Sequence, residues 1–261
     1  MDYGISGRTA LVLGAGGGLG SAVCEALARE GVRIVAAGRS AGPLQATLAR
    51  LQAIGATATT RVWDLGDLDA VPGHLAAIEA EAGPVDILFN NTGGPPGGPA
   101  HAAGIDAYLD AFNKHLVANQ RLLQAVLPGM RAAGWGRIVN VISTSVYEPI
   151  PNLGVSNTIR GAVASWAKTL SRELGGDGIT VNNVLPGYTR TQRLDQILAD
   201  RSNATGKSQN DIASAMLATV PVGRFAEAHE TGGVIAFLCS NAAAYINGQS
   251  IAVDGGRMQS I

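Results

Sequence analysis

The chain has 261 residues, of which 46% are apolar, and its 19 basic and 20 acidic side chains leave a formal net charge of −1. This balance argues against a nucleic-acid-binding surface, and no apolar run reaches the ~20 residues that span a bilayer. The N-terminus does not resemble a signal peptide, and Cys24 and Cys239 are interpreted as buried thiols. We therefore expect a single cytoplasmic domain over residues 1–261.

Short β-branched runs alternate along the chain with longer segments whose apolar residues recur at helical spacing. The predicted strands are residues 9–13, 33–37, 59–62, 86–89, 137–142, 179–184 and 250–253. The predicted helices include residues 21–30, 43–54 and 162–174. This alternation predicts the α/β class, with about seven strands in a doubly wound parallel sheet of Rossmann type.

A glycine-rich segment joins the first predicted strand to the first predicted helix. It reads Gly14-Ala15-Gly16-Gly17-Gly18-Leu19-Gly20. Glycines at this junction let the backbone turn tightly and approach a pyrophosphate, which then rests on the amides and dipole of the helix N-terminus. The segment therefore predicts dinucleotide binding. The alternative is a loop with a structural role only.

The end of the second predicted strand indicates which dinucleotide binds. An NAD-binding protein usually carries an acidic residue there, which hydrogen-bonds the ribose 2′-hydroxyl. This chain has Arg39 instead, and a guanidinium can pair with a 2′-phosphate. NADP is therefore the expected cofactor, unless Arg39 is a solvated loop residue, which would leave the choice open.

One long excursion interrupts the alternation between the sixth and seventh strands. Residues 191–225 contain no predicted strand and follow the carboxyl end of a strand, where substrate lids are commonly found. We interpret the segment as a helical lid that shapes the pocket together with the loop at residues 93–99. A surface helical hairpin without that role is the alternative.

Six motifs, in order from about Gly7 to Gly256, resemble those of the short-chain dehydrogenase/reductase family. They are Gly14-x-x-x-Gly18-x-Gly20, Asp64 after the third strand, Asn90-Asn91-Thr92-Gly93 after the fourth, Ser143 after the fifth, Pro186-Gly187 through Thr191 after the sixth, and Val253-Asp254-Gly255-Gly256 near the C-terminus. Two small departures are Leu13, where the family usually has Thr, and Thr92, where it usually has Ala.

The resemblance implies which residues contact the cofactor. Together with Arg39, they are Gly14, Gly16, Gly18, Leu19, Gly20, Asp64, Leu65, Asn91, Gly93, Arg160, Pro186, Gly187, Thr189 and Thr191. By the same resemblance, Asp64 contacts the adenine ring, and the segment after Pro186 holds the nicotinamide carboxamide.

Three positions of the family's catalytic tetrad differ in this chain. Ser156 stands where the family has its catalytic Tyr, Arg160 replaces the Lys, and His115 stands where a helix Asn is usual. Gly-Gly-Pro-Pro at residues 93–96 and Ser-Asn-x-x-Arg at residues 156–160 resemble a divergent branch labelled β-ketoacyl-carrier-protein-reductase-like. The candidate catalytic residues are Ser143, Ser156, Arg160 and His115.

These replacements weaken the expected proton donor. A serine hydroxyl is a far weaker acid than a phenol, and Arg160 stays cationic, so it is expected to hold ribose hydroxyls or stabilise an oxyanion. His115 is expected to titrate near neutral pH and could feed a proton through water; Tyr147 and Tyr188 are other candidates. Ser143 is expected to donate a hydrogen bond to a substrate carbonyl.

The expected activity is hydride transfer between the nicotinamide of NADP and a small-molecule carbonyl or secondary alcohol. The main alternative is a catalytically weak or inactive NADP-binding protein with a structural or regulatory role. A halohydrin-dehalogenase-like lyase is disfavoured, because those relatives keep the Tyr and lose the glycine loop. The resemblance implies a homo-oligomer, a tetramer, with contacts from helices within residues 102–130 and 162–174 and from the C-terminus. No metal, nucleic acid or membrane is expected as a partner.

Overall fold

The computed structural model describes residues 2–260, so Met1 and Ile261, the ends of the predicted domain, lie outside the described residues. Seven parallel strands form one sheet in the order β3-β2-β1-β4-β5-β6-β7. The strands are β1 (Thr9–Leu13), β2 (Arg33–Gly38), β3 (Ala58–Val62), β4 (Ile87–Asn90), β5 (Gly136–Val141), β6 (Ile179–Pro186) and β7 (Ser250–Val253). The predicted doubly wound sheet is therefore confirmed, with strand ends that differ by one or two residues.

Helices cover both faces of the sheet, because successive strand residues point to opposite sides. The helices are α1 (Gly18–Arg29), α2 (Ala41–Ala53), α3 (Val71–Ala82), α4 (Ile105–Phe112), α5 (Ala118–Ala133), α6 (Gly154–Leu174), α7 (Gln192–Thr205), α8 (Gln209–Leu217) and α9 (Ala228–Leu238). Val12 belongs to the apolar cluster under α1, α2 and α9. Leu13 belongs to the cluster under α3, α5 and α6.

Helix α6 begins earlier than the sequence pattern predicts. The predicted start was residue 162, whereas the helix begins at Gly154, so that Ser156 and Arg160 lie in its first two turns. Two backbone hydrogen bonds attach this start to the loop after β4, from Gly98 N to Asn152 O (2.7 Å) and from Gly154 N to Gly98 O (3.0 Å). The early start places Ser156 beside the loop that was expected to shape the pocket.

The excursion between β6 and β7 contains α7 and α8, which pack on each other around a small apolar cluster. The cluster consists of Leu194, Ile212, Met216 and Phe225. Tyr188, just before the excursion, packs its ring edge-on against Phe225 with 6.3 Å between ring centroids. Backbone hydrogen bonds between Tyr188 and Ala226 and between Arg190 and Ala226 close the base of the segment.

A row of buried amides crosses the half of the sheet that carries the candidate catalytic residues. The Asn90 side chain donates to Asn140 (2.8 Å), Asn140 donates to Asn183 (2.9 Å), and Asn183 donates to Ser250 (3.0 Å). These residues are register partners on β4, β5, β6 and β7. Since each bond needs this pairing, the row helps to specify the register of the four strands.

The strand order reverses between β1 and β4, and ligands of doubly wound sheets bind at this switch point, outside the carboxyl ends of the strands. The glycine-rich segment follows β1. Asn90 is the last residue of β4, and the rest of the Asn90-Asn91-Thr92-Gly93 motif follows that strand. Across residues 2–260, every helix is too short or too polar to traverse a lipid bilayer.

Candidate active site

The glycine-rich loop turns sharply between β1 and α1. Gly14 has φ = +66°, a conformation that costs a residue with a side chain about 1–2 kcal/mol. At the start of α1, Gly17 offers no side chain to cap the helix, and the first turn contains no acidic residue. The backbone amides and the positive end of the helix dipole therefore remain open to an anion.

Glycines also allow the loop to contact two other predicted cofactor segments closely. A Cβ atom on Gly14 would lie 2.6 Å from Nδ2 of Asn91, which follows β4. A Cβ atom on Gly18 would lie 2.8 Å from Cγ2 of Thr191, which follows β6. The fold thus brings together three segments that are far apart in the chain, all at the switch point of the sheet.

Arg39 and Asp64 lie at the carboxyl ends of β2 and β3, next to each other in strand order. Arg39 is exposed and forms no ion pair with any residue between positions 2 and 260. Asp64 is exposed and accepts a hydrogen bond from the Gly66 amide (2.9 Å). An unpaired guanidinium at this point is free to pair with a phosphate.

The other predicted cofactor residues surround the same crevice. Leu19 is half-buried in the first turn of α1, and Leu65 is half-buried after β3. Gly187 donates its amide to Val253 O (2.9 Å), which ties the end of β6 to β7. Thr189 Oγ1 donates to Gly187 O (3.2 Å), and Thr191 Oγ1 donates to Thr189 O (3.4 Å). The remaining members are Gly16 and Gly20 in the loop, Gly93 after β4, and Pro186 at the end of β6.

The hydroxyl groups of Ser143 and Ser156 differ in their hydrogen bonding. Ser143 follows β5, is half-buried, and accepts a hydrogen bond from the Ser145 amide through Oγ (3.1 Å). Its own O–H is left free to donate, as a carbonyl-binding hydroxyl must. Ser156 is half-buried near the start of α6, and its Oγ has no hydrogen-bond partner within the described part of the chain.

Arg160 is buried, with 8% of its surface exposed. Its Nη1 donates a 2.6 Å hydrogen bond to Val141 O, at the end of β5. Burial, and to a lesser degree the charge of Arg193, lowers the pKa of Arg160 to about 10. The side chain is therefore still cationic at neutral pH, in agreement with its expected role as a fixed positive charge.

His115 is buried (2% exposed) in a π-helical turn, Asn113–Val117, between α4 and α5. Burial and the charge of Arg160 lower the pKa of His115 to about 3, against the opposing effects of a hydrogen bond with the Gly93 backbone and of Asp110. The expectation that His115 titrates near neutral pH is therefore wrong, because removal of water and a neighbouring cation both disfavour the imidazolium. A neutral imidazole next to the Gly93 backbone is a packing neighbour of the loop after β4.

Tyr147 and Tyr188 differ in their surroundings. Tyr147 follows the short 3₁₀ turn Thr144–Val146 and is half exposed. The Arg257 guanidinium lies 4.7 Å from the centre of the Tyr188 ring, and Tyr188 also packs against Phe225. Tyr188 thus packs between the C-terminal segment and the segment at residues 191–225, and its part as a proton donor stays a prediction.

Sequence reasoning missed Arg193 in the first turn of α7. Its Nη2 lies 3.5 Å from the position that a Cβ of Gly94 would occupy, and its charge acts on Arg160. The motif that ends at Thr191 was a signal for this region, but only the fold brings residue 193 close to Arg160.

Asn157 belongs to the Ser-Asn-x-x-Arg motif, but sequence reasoning gave it no role of its own. Its Nδ2 donates to Ile150 O (2.9 Å), which holds the loop between Ser143 and Ser156 against α6.

Comparison with known proteins gives matches over nearly the whole chain. A family model described as enoyl-(acyl carrier protein) reductase matches residues 14–257. The gluconate 5-dehydrogenase of Gluconobacter oxydans is 33% identical over 254 residues, which cover 97% of this chain and 96% of that protein. The 3-oxoacyl-[acyl-carrier-protein] reductase of Pseudomonas aeruginosa is 32% identical over 258 residues, which cover 98% and 99% of the two chains.

The fold resembles a solved reductase closely. The crystal structure of L-sorbose reductase from Gluconobacter frateurii, a complex with NADPH and L-sorbose, matches with a TM-score of 0.94 and 28% sequence identity, covering 100% of both chains. The similarity therefore extends over the complete sheet and its helices, including the region of α7 and α8.

Proposed function

The chain belongs to the short-chain dehydrogenase/reductase family and is an NADP-dependent oxidoreductase, and we propose that it reduces a small-molecule carbonyl with Ser143, Ser156 and Arg160 around the reacting oxygen. In the reverse direction the same site oxidises a secondary alcohol. The named relatives are dehydrogenases and reductases, which favours a catalytic protein over a purely structural or regulatory one.

The single observation that carries the proposal is the fit of the crevice to NADP. The loop after β1 can pack this closely against its neighbours only because Gly14, Gly16 and Gly18 lack side chains; a Cβ on Gly16, for example, would lie 2.9 Å from Pro43 Cβ. The uncapped start of α1 complements the pyrophosphate charge. Arg39, exposed and without a carboxylate partner among residues 2–260, is suited to the 2′-phosphate.

Bound NADPH supplies the hydride. The free O–H of Ser143 donates a hydrogen bond to the substrate carbonyl, and the unpartnered Ser156 hydroxyl supplies a second donor to the same oxygen. Arg160 stabilises the negative charge that develops on that oxygen, because its guanidinium stays protonated and is held in place by Val141. The carbon accepts the hydride, the oxygen accepts a proton from water, and the products are a secondary alcohol and NADP⁺.

His115 acts as a positioning residue in this scheme. With a pKa of about 3 it is neutral across the working range of pH, and through its position next to the Gly93 backbone it supports the loop after β4. Without a phenol as general acid, the chemical step is expected to be slower by a factor of about 10²–10⁴ than with a fully positioned acid.

Two measurements on purified protein test the proposal. The first is a fluorescence titration with NADPH and NADH, in which NADPH should bind more tightly. The second is NADPH oxidation in the presence of a panel of small ketones, keto-sugars and 3-oxoacyl thioesters. Replacement Ser143→Ala should lower kcat by about 10²-fold or more, whereas Ser165→Ala, on an exposed part of α6, should leave kcat unchanged.

NADPH binding without turnover of any carbonyl would support the structural or regulatory alternative instead. Absence of NADPH binding would contradict the oxidoreductase assignment itself.

The assembly proposed from the family resemblance is a tetramer, and α4 supports a contact between copies. Ile105, Leu109 and Phe112 are 73%, 56% and 40% exposed, and their spacing puts them on one side of the helix. Replacement Leu109→Glu should therefore lower the mass measured by light scattering. A cytoplasmic location is proposed as well, supported by Cys24 and Cys239, which are both buried and unpaired.

A further inference from the structure

Arg160 and Arg193 lie close enough for the charge of Arg193 to lower the pKa of Arg160, and neither has a carboxylate partner in the part of the chain that the structure describes. Arg160 extends from α6 and Arg193 from the first turn of α7. The ion pairs found among residues 2–260 all involve other basic side chains. Asp110 is a carboxylate whose charge raises the pKa of His115. It is already paired with Lys114, with 2.7 Å between Oδ1 and Nζ.

The burial of Arg160 makes this arrangement costly. A cation that is 92% removed from water loses hydration, and a second cation nearby adds repulsion. One hydrogen bond, to Val141 O, offsets part of this cost, and the other N–H groups of Arg160 have no acceptor within residues 2–260. The other N–H groups are not among the buried atoms that lack a partner, so they reach the crevice, where an anion between the two guanidinium groups would relieve the repulsion and accept hydrogen bonds from them.

The position of the two arginines relates this anion to the reacting carbonyl. Arg160 donates a hydrogen bond to Val141, which is the last residue of β5 and stands two residues before Ser143. Arg193 Nη2 reaches the loop after β4 at Gly94. Thr191, in contrast, lies next to Gly18 in the glycine-rich loop. The side chains of Thr191 and Arg193 therefore contact different parts of the crevice.

We propose that Arg193 binds the carboxylate of an oxo-acid substrate, with the charge of Arg160 adding to the attraction, so that the enzyme prefers keto-aldonates over neutral keto-sugars. This inference rests on the proposed function, since the carbonyl reduced is the one beside Ser143. Of the relatives, one is named a gluconate 5-dehydrogenase and another an L-sorbose reductase, so both an acid and a neutral sugar occur among them.

Two commercially accessible sugars isolate the carboxylate. 5-Keto-D-gluconate and L-sorbose have the same carbon chain and the same arrangement of hydroxyl and keto groups. They differ at one terminus, where the first has a carboxylate and the second a hydroxymethyl group. L-Sorbose can also close a six-membered ring through that hydroxymethyl group, so the change in their relative affinity when Arg193 is replaced is the quantity that reports on recognition of the carboxylate.

The experiment is calorimetric titration of each sugar into protein saturated with NADP⁺, followed by steady-state reduction with NADPH. Wild-type protein should bind 5-keto-D-gluconate at least about tenfold more tightly than L-sorbose, since a charge-assisted hydrogen bond contributes that much or more. Arg193→Gln should abolish this preference by weakening only 5-keto-D-gluconate, and Arg193→Lys should restore part of it. Arg201→Gln, which removes an exposed arginine from the same helix, should leave the preference intact.

Four results would overturn the proposal. Binding of neither sugar to the NADP⁺ complex, or equal binding of both, would remove the keto-aldonate preference. An equal loss of affinity for both sugars in Arg193→Gln would show that Arg193 does not recognise the carboxylate. Weakening of NADP⁺ itself by Arg193→Gln would assign the residue to a cofactor phosphate. Failure of the wild-type protein to bind NADP⁺ would instead count against the proposed function.

Discussion

Arg160 Nη1 donates a 2.6 Å hydrogen bond to the backbone oxygen of Val141. The bond links α6 to Val141 at the end of β5, two residues before Ser143, so the positive charge and the hydroxyl proposed to bind the carbonyl are held by the same strand. Because the strand lies in the middle of a buried sheet, this geometry does not depend on a mobile loop. It supports a fixed electrostatic role for Arg160 in place of proton transfer.

Restoring the usual acid should raise the rate. In the double variant Ser156→Tyr with Arg160→Lys, a phenol whose pKa is lowered by an ammonium supplies the proton, and kcat for ketone reduction should rise by about 10²-fold. Measurement of NADPH oxidation at saturating substrate checks this. The single variant Ser156→Tyr is the control and should gain less, since the Lys is absent. No gain in the double variant would mean that the pocket has been reshaped beyond these two residues.

Arg39 should determine the preference for NADP. Replacement Arg39→Asp puts a carboxylate where the 2′-phosphate binds, so the affinity for NADPH should fall by roughly 10–100-fold while NADH binding improves. Fluorescence titration with both cofactors measures the change. Arg29→Asp, at the far end of α1, is the matched control for charge. Unchanged selectivity in Arg39→Asp would exclude the residue from the ribose site.

The sharp turn after β1 should tolerate a side chain at Gly17 but not at Gly14. Gly14→Ala forces φ = +66° on an alanine and puts Cβ 2.6 Å from Asn91, so the free energy of unfolding should fall by about 1–2 kcal/mol and NADPH should bind more weakly. Gly17→Ala, with φ = −89° and its nearest contact at 3.4 Å, should change neither quantity much. Urea unfolding and NADPH titration are the measurements; similar behaviour of the two variants would contradict the assigned loop geometry.

His115 should make the folded state less stable in acid. Its folded pKa of about 3 lies below the ordinary value of 6.5, so between these values the unfolded chain binds a proton that the folded chain does not. Between pH 6.5 and about pH 3, the free energy of unfolding therefore falls by about 1.4 kcal/mol for each unit by which the pH is lowered.

Urea unfolding at pH 6.5 and pH 4.5 tests this expectation. Between these pH values, the free energy of unfolding of His115→Gln should fall by roughly 2–3 kcal/mol less than that of the wild type. The variant His101→Gln, at an exposed position, should behave like the wild type. A proton NMR titration of His115 with a midpoint near pH 6.5 would contradict the assigned burial effect.

The strands and the glycine loop were predictable because their signals are local. Runs such as residues 9–13 consist of residues that favour a buried strand, and the glycines after them mark a turn wherever they occur. The start of α6 was predicted too late because Gly154, Ser156 and Asn157 favour helices weakly. The helix begins there because the bonds between Gly98 and residues 152–154 anchor it, which is a contact between distant segments.

By itself, the amino-acid sequence determined the doubly wound sheet, the dinucleotide loop and the residue types at the candidate catalytic positions, because these follow from periodicity, turn chemistry and side-chain chemistry. Only the tertiary structure decided that His115 is neutral and that Arg193 lies close to Arg160. Both depend on burial and on distances between charges on different elements, and electrostatic energy varies with those distances and not with separation along the chain.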